Sequence, residues 1–281
     1  MSTQSPSLAA RQLEHWRSHV GRVRSQRETL DVSVLRRFAV ACGADAEVEK
    51  TQPPMAHWAY FLDAVASSGL GEDGHPLRGD FLPAVHLPRR MFAAASIRFE
   101  RPLELGREAE CRTRIADVKY KSGQSGELVF VELERTIVQA QQTRVSESQT
   151  IVYRAAGTRQ PAVVATLAQR GVDGVWCPGP VELFRFSAVT FNAHRIHYDV
   201  PYARRVEGYP DLVVHGPFAA VKLLAFAQQR SVRAVQSFAF RLVAPLFVSQ
   251  PVTFASGEEP GSFVALRCDG VQSVSAKVEF Q

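Results

Sequence analysis

The chain has 281 residues, 46% of them hydrophobic and 22% charged, with a net charge of +5. That length holds two ordinary domains or one large one, and the balance excludes a disordered or fibrous chain. The cationic excess falls in pairs such as Arg89-Arg90 and Arg204-Arg205, which suits a solvated surface or a small anionic ligand and not a nucleic-acid stripe.

Residues 1–30 read as a polar, partly helical lead-in with a thin apolar stripe at Leu8, Leu13, Trp16 and Val20. Asp31 is placed to cap a helix carrying Val34, Leu35, Phe38, Ala39 and Cys42 and ending at Gly43. A second short helix is predicted over 58–65, and residues 67–90, rich in glycine, proline and charge, read as a long loop. From Met91 the period becomes two. Ala95, Ile97 and Phe99 alternate with polar positions, and strand-like runs follow at 109–118, 127–138 and 144–153. Residues 157–171 look like a linker. Beyond it, Phe218, Val221, Leu224 and Ala225 share one face of a helix over 217–229. Strands at 236–243, 252–256, 262–268 and 274–280 end the chain.

The layout repeats faintly. Residues 98–105 lie on 241–248 without gaps, 143 residues apart, and the Arg, Pro and Leu positions coincide. In each copy one strand precedes the Pro-Leu break and three follow. The expectation is an α+β chain of two similar halves, each a run of antiparallel strands wrapped on a helix. The N-terminal half spans 1–156, a linker 157–175, and the C-terminal half 176–281.

Three of the eight histidines fall in the single run 186–216, which places Asn192, His194, His197 and Asp199 within eight residues and closes on His215-Gly216-Pro217. Polar side chains bunched among aromatic and β-branched ones are costly to bury, so this run is the expected active site. A metal is not expected: His194-x-x-His197-x-Asp199 has suitable ligand types, but neither the spacing of a helical site nor an accompanying cysteine motif. Cys42, Cys111, Cys177 and Cys268 are scattered and form no CxxC, which fits a reducing cytoplasm. The first twenty residues lack the order of a signal peptide, and no apolar run reaches the ~20 residues of a membrane span.

The windows Phe191-Asn192-Ala193-His194-Arg195-Ile196-His197 and Val214-His215-Gly216 resemble the motif of the MaoC-like enoyl-thioester hydratases, which have the hot-dog fold. The text TFNAHRIHYD and EGYPDLVVHGP is more similar to the double hot-dog branch of mesaconyl-C4-CoA and itaconyl-CoA hydratases and type 2 hydroxyacyl-thioester dehydratases. The N-terminal half resembles the same branch through Pro53-Pro54-Met55, His57-Trp58, Gly74-His75, Arg78-Gly79, Phe81-Leu82-Pro83 and Leu87-Pro88-Arg89-Arg90-Met91. One departure stands out. Single-domain relatives keep an Asp five residues before the catalytic His, where this chain has Asn192.

The resemblance implies a double hot-dog hydro-lyase that needs no cofactor. Its substrate would be a CoA thioester, with neither nucleic acid nor membrane as a partner and a homodimer as the expected assembly. The reaction it implies is hydration of itaconyl-CoA or mesaconyl-C4-CoA to (S)-citramalyl-CoA. Dehydration of fatty 3-hydroxyacyl chains on carrier protein or CoA, and a non-catalytic acyl-CoA-binding subunit, are the alternatives. The N-terminal half would be non-catalytic and shape the pocket. His197 is the expected base, because imidazole titrates nearest neutral pH. The Gly216 amide at a helix N-terminus is the expected oxyanion donor, with glycine allowing close approach of the thioester. Asn192 would orient the water. His194, Arg195, His215 and Asp199 are candidates for substrate binding, with an Arg195–Asp199 ion pair as the competing use of those two.

Overall fold

Two sets of five strands join edge to edge in the computed structural model, which describes residues 8–49, 52–53, 55–123, 126–156, 160–164 and 174–281. The first half runs α1 (Leu8–Arg17), β1 (Val23–Thr29), α2 (Val32–Ala41), β2 (Arg89–Phe99), β3 (Glu108–Gly123), β4 (Gly126–Gln139) and β5 (Gln142–Arg154). The second runs β6 (Val175–Trp176), α3 (Pro180–Val189), α4 (Val200–Arg205), α5 (Gly216–Gln228), β7 (Val235–Leu242), β8 (Val252–Ser256), β9 (Ser262–Leu266) and β10 (Gln272–Phe280). The sheet order is β1-β3-β4-β5-β2-β7-β10-β9-β8-β6, so the second half mirrors the first. This is the double hot-dog architecture.

The inner strands β2 and β7 pair antiparallel from Ala94↔Arg241 to Arg98↔Ser237, with Ser96↔Ala239 at the centre. Ser96 and Ala239 are also equivalent under the 143-residue repeat. The repeat and the ladder therefore share one local two-fold axis. Leu35, Phe38, Ile97, Phe186, Phe218 and Phe238 belong to one core that crosses both halves. Phe38 of α2 and Phe186 of α3 lie 6.4 Å apart between ring centres.

Asp31 caps α2 as expected: its carboxylate accepts the Ser33 N–H at 2.6 Å. The strand runs and the last helix also form where their periods place them. The sequence reading misses β1, β6, α3 and α4 and misplaces a helix over 58–65. β1, VRSQRET, alternates exposed and half-buried at the sheet edge, so it carries no apolar period. The helix expected over 58–65 is only a 3₁₀ turn, Ala56–Ala59, because Phe61 takes a left-handed φ of 58° that a helix cannot continue through. α3 starts at Pro180 with the Gly179 N–H donating to Glu182, in a segment the sequence reading left without an element. The linker reading over 157–175 falls largely on 157–159 and 165–173, and Pro54 of the N-terminal motif text also lies outside the described residues.

The halves differ where it matters most. The stretch equivalent to α5 under the repeat is 73–85, and there the chain forms turns and bends without a helix. Gly74, Pro76, Gly79 and Pro83 fall within these thirteen residues, which explains the loss. One helix per half was expected to fill each sheet. The first half has a loop in that place instead. No helix among the described residues is long and apolar enough to cross a membrane.

Candidate active site

α3 ends at Thr190, and Phe191 reverses the chain with a left-handed φ of 48°. Asn192 fixes the turn: its N–H donates to Ser187 O at 2.8 Å and its Oδ1 accepts the His194 N–H at 2.9 Å. A single 3₁₀ turn, Arg195–His197, then swings His197 inward. Ile196 packs with Tyr202, Tyr209, Val213 and Phe247 beside it. Residues 212–214 run alongside, tied by Val213 N–H to Ile196 O at 3.0 Å, and deliver His215 as the N-cap of α5.

The loop of the first half closes over this turn. Arg195 N–H donates to Asp73 O at 2.9 Å, and Arg195 Nη1 donates to Glu72 O at 3.1 Å. Gly74, at φ 87°, lies so close that a Cβ there would sit 1.8 Å from Ala193 O. Two side chains of the loop, Asp73 and His75, thereby reach the histidine run.

Four imidazoles result, in a row. His75 and His194 have ring centres 4.0 Å apart, His194 and His197 5.4 Å, and His197 and His215 3.6 Å in a near-parallel stack. Asp73 Oδ2 accepts from His75 Nδ1 at 3.0 Å at one end, and Ser187 Oγ bonds His215 Nε2 at 2.8 Å at the other. His197 Nδ1 donates to Val213 O at 2.7 Å. A backbone carbonyl can only accept, so the proton sits on Nδ1 and Nε2 is a lone pair; no described residue bonds it. Burial pushes His197 down to about 4 and, with the neighbouring His75 and His197, His194 down to about 2. His215 is lowered too, chiefly by burial. The hydrogen bond from His75 holds the Asp73 carboxyl well below the usual carboxylate range against the burial that raises it.

Each expected residue has a place. His197, His215 and the α5 N-terminus come together, and the first N–H groups of a helix have no intrahelical acceptor. Glycine at 216 also leaves room for Leu242, whose Cδ1 would lie 2.0 Å from a Cβ there. Asn192 uses its carbonyl in the turn and keeps only its amide donor for a water. Arg195 and Asp199 engage each other, Nε and Nη2 donating to Oδ2 at 3.0 and 2.8 Å. Asp199 Oδ1 also caps α4 through Tyr202 N–H at 3.0 Å. The ion pair, one of the two expected uses of these residues, is the one formed, and Arg195 also holds the loop through Glu72 O. His194 stays in the row, between the two halves.

Asp73 and His75 were missed as site residues, although the adjoining Gly-His-Pro text lay in the motif. Arg90 was missed too. It pairs in register with Tyr153, its charge lowers His75 and His194, and it has no ion-pair partner among the described residues. The cavity of about 690 Å³ beside Arg27, Arg37, Phe61 and Val189 includes none of the four histidines.

The sequence profile of hydroxyacyl-thioester dehydratase type 2 matches residues 55–248. The chain is 40% identical over 277 residues to the mesaconyl-C(4)-CoA hydratase of Chloroflexus aurantiacus, covering 94% of this chain and 97% of that one. It is 29% identical to the mitochondrial hydroxyacyl-thioester dehydratase type 2 of Schizosaccharomyces pombe, over 76% and 80% of the two chains. Among solved structures, a MaoC-like dehydratase from Phytophthora capsici superposes with a TM-score of 0.67 at 15% identity, over 96% and 97% of the chains. A double hot-dog protein of Mycobacterium tuberculosis gives 0.53 at 13% identity, over 92% and 95%. These two likenesses concern the fold alone.

Proposed function

The chain belongs to the hydroxyacyl-thioester dehydratase type 2 family, and from that membership we propose that it hydrates mesaconyl-C4-CoA reversibly to (S)-citramalyl-CoA. The observation that carries the chemistry is the His197 ring, locked by Val213 O with its basic Nε2 free, next to the start of α5. The full-length likeness to a mesaconyl-C(4)-CoA hydratase supports the substrate. Itaconyl-CoA, which would yield the same product, is the second substrate to try. The four cysteines are free thiols, which supports a reducing cytoplasm as the place of work.

His197 Nε2 takes a proton from water as its oxygen attacks C3. The π electrons move toward the thioester, and the enolate oxygen is met by the Gly216 N–H at the positive end of α5. Asn192 holds the water through its amide. The imidazolium is costly in this dry site, and the developing enolate charge offsets that cost as the reaction proceeds. Mesaconyl-C4-CoA differs from a fatty enoyl-CoA by a free carboxylate. Arg90, a half-buried cation without an acidic partner among the described residues, is assigned to bind it.

Purified protein incubated with mesaconyl-C4-CoA, itaconyl-CoA, crotonyl-CoA and a long-chain 3-hydroxyacyl carrier protein tests the reading. Fastest turnover is expected on a five-carbon dicarboxylic thioester. Preference for the carrier-bound chain would replace this reading with a fatty acyl dehydratase, and inertness toward all four would end the enzymatic reading.

A further inference from the structure

Hydration also needs a proton at C2, and His197 is occupied with the water. We infer that Asp73 and His75, from the N-terminal half, form the second acid–base dyad of the reaction, with Asp73 supplying the carboxylate that Asn192 lacks. The inference rests on the hydratase reading. The loop that brings the dyad stands where the C-terminal half has α5. Its backbone is pinned to 193–195 by two hydrogen bonds from Arg195 and by the contact at Gly74. Of the four rings in the row, His75 alone has a carboxylate partner among the described residues. A proton delivered to the row is therefore best compensated on His75, as an imidazolium–carboxylate pair neutral overall, against the burial that lowers its pKa.

Groups around the dyad act in both directions. Burial is the largest influence and lowers the His75 pKa; the Asp73 hydrogen bond and charge raise it, Arg90 and Arg78 lower it further, and His194 lies 4.0 Å away between ring centres. Tyr202 and Glu207 lie near enough to feel Asp73. Arg78 is tied to backbone carbonyls of Val85, Leu87 and Pro88. Arg90 is the cation that bound substrate carboxylate would neutralise, so substrate entry itself favours the protonated dyad.

The step balances. The water O–H breaks, its oxygen bonds C3 and its proton goes to His197 Nε2. The enolate then collapses, C2 takes the proton from His75 Nε2, and that N–H electron pair stays on His75. The proton on His197 returns to His75 through His194, whose ring lies between the two. Nothing is oxidised or reduced, and one water is consumed.

Asp73→Asn is the test, because Asn keeps the Oδ1 that accepts the His75 backbone N–H at 2.9 Å and replaces the charged Oδ2 partner of the ring by a neutral amide nitrogen. Wild type and D73N are compared on mesaconyl-C4-CoA between pH 6 and 9, with melting temperature and thioester binding as controls. The expected result is a kcat lower by about 10²-fold at pH 8, KM within about threefold, and a deficit that grows with pH. The sign follows from the role: without its counter-charge His75 loses its proton at lower pH, so the alkaline limb moves down. His75→Gln should match D73N, and Asp73→Glu should restore part of kcat. A D73N kcat within about twofold of wild type, or a pH-independent deficit, overturns the dyad. So does activity lost on chelation and restored by zinc, which would make these side chains metal ligands instead. Absence of wild-type turnover would instead count against the hydratase reading.

Discussion

His197→Asn leaves an amide that can still donate to Val213 O and removes the basic nitrogen. The expected loss is about 10²–10⁴ in kcat with thioester binding intact, read by steady-state rates and by titration calorimetry. Arg90→Met should separate substrates. KM for mesaconyl-C4-CoA should rise about 30-fold or more, while crotonyl-CoA, which has no second carboxylate, should be handled as before. Equal losses on both thioesters would remove Arg90 from recognition. At this scale the sequence was legible where residues sit close along the chain. His194, His197 and His215 could be picked out because a histidine-rich run is visible by eye. Asp73 and His75 lie about 120 residues upstream and reach the run only through the loop. Local spacing carries no signal for such a contact. The Arg195–Asp199 ion pair was legible for the same reason: an i,i+4 pair on one short turn lies within reach along the chain.

The loop across 71–88 is the element on which the site turns. Gly74→Ala should displace it, because φ 87° costs a non-glycine residue about 1–2 kcal/mol and the new Cβ collides with Ala193 O. The collision is with backbone, so it cannot be relieved by a rotamer change. Melting temperature should fall, and kcat should fall further than it does for a surface substitution of similar stability cost. An unchanged kcat would mean that the loop does not hold site residues. Elements with strong period or a clean cap were legible: α2 behind Asp31, α5 behind His215-Gly216-Pro217, and the long strands β3 to β5. β1 was not, since an edge strand with one solvated face needs no apolar alternation. The 3₁₀ turn at 56–59 carries an aromatic text, His57-Trp58 with Tyr60 and Phe61, that mimics a helix. Its true determinants are tertiary. Trp58 Nε1 donates to the buried Glu147 at 2.9 Å, and Tyr60 Oη donates to Asp31 O at 2.7 Å.

For the whole molecule, buried neutral imidazoles make stability depend on pH. His197 and His194 are held at about 4 and about 2, against an unfolded value near 6.5. Below pH 6.5 the unfolded chain binds protons that the folded one refuses. Stability is therefore full above pH 6.5 and declines as pH falls toward 4. Carboxylates such as Glu147, held at about 2 by His57 and Arg135 against the burial that raises it, add their own loss only below about 4.5. Urea midpoints should thus drop between pH 7 and 5, and a His194→Phe variant should flatten that drop. A constant midpoint across this window would contradict neutral burial of His194 and His197. The pairing of Ser96 with Ala239 has a consequence of another kind. In an assembly of two identical chains, any substitution that dissolved one central helix would dissolve both, and each site would lose the helix end it relies on. Two halves joined in one polypeptide carry no such constraint: residues 73–85 run as a reaching arm while α5 stays a helix, and the row of imidazoles draws on both.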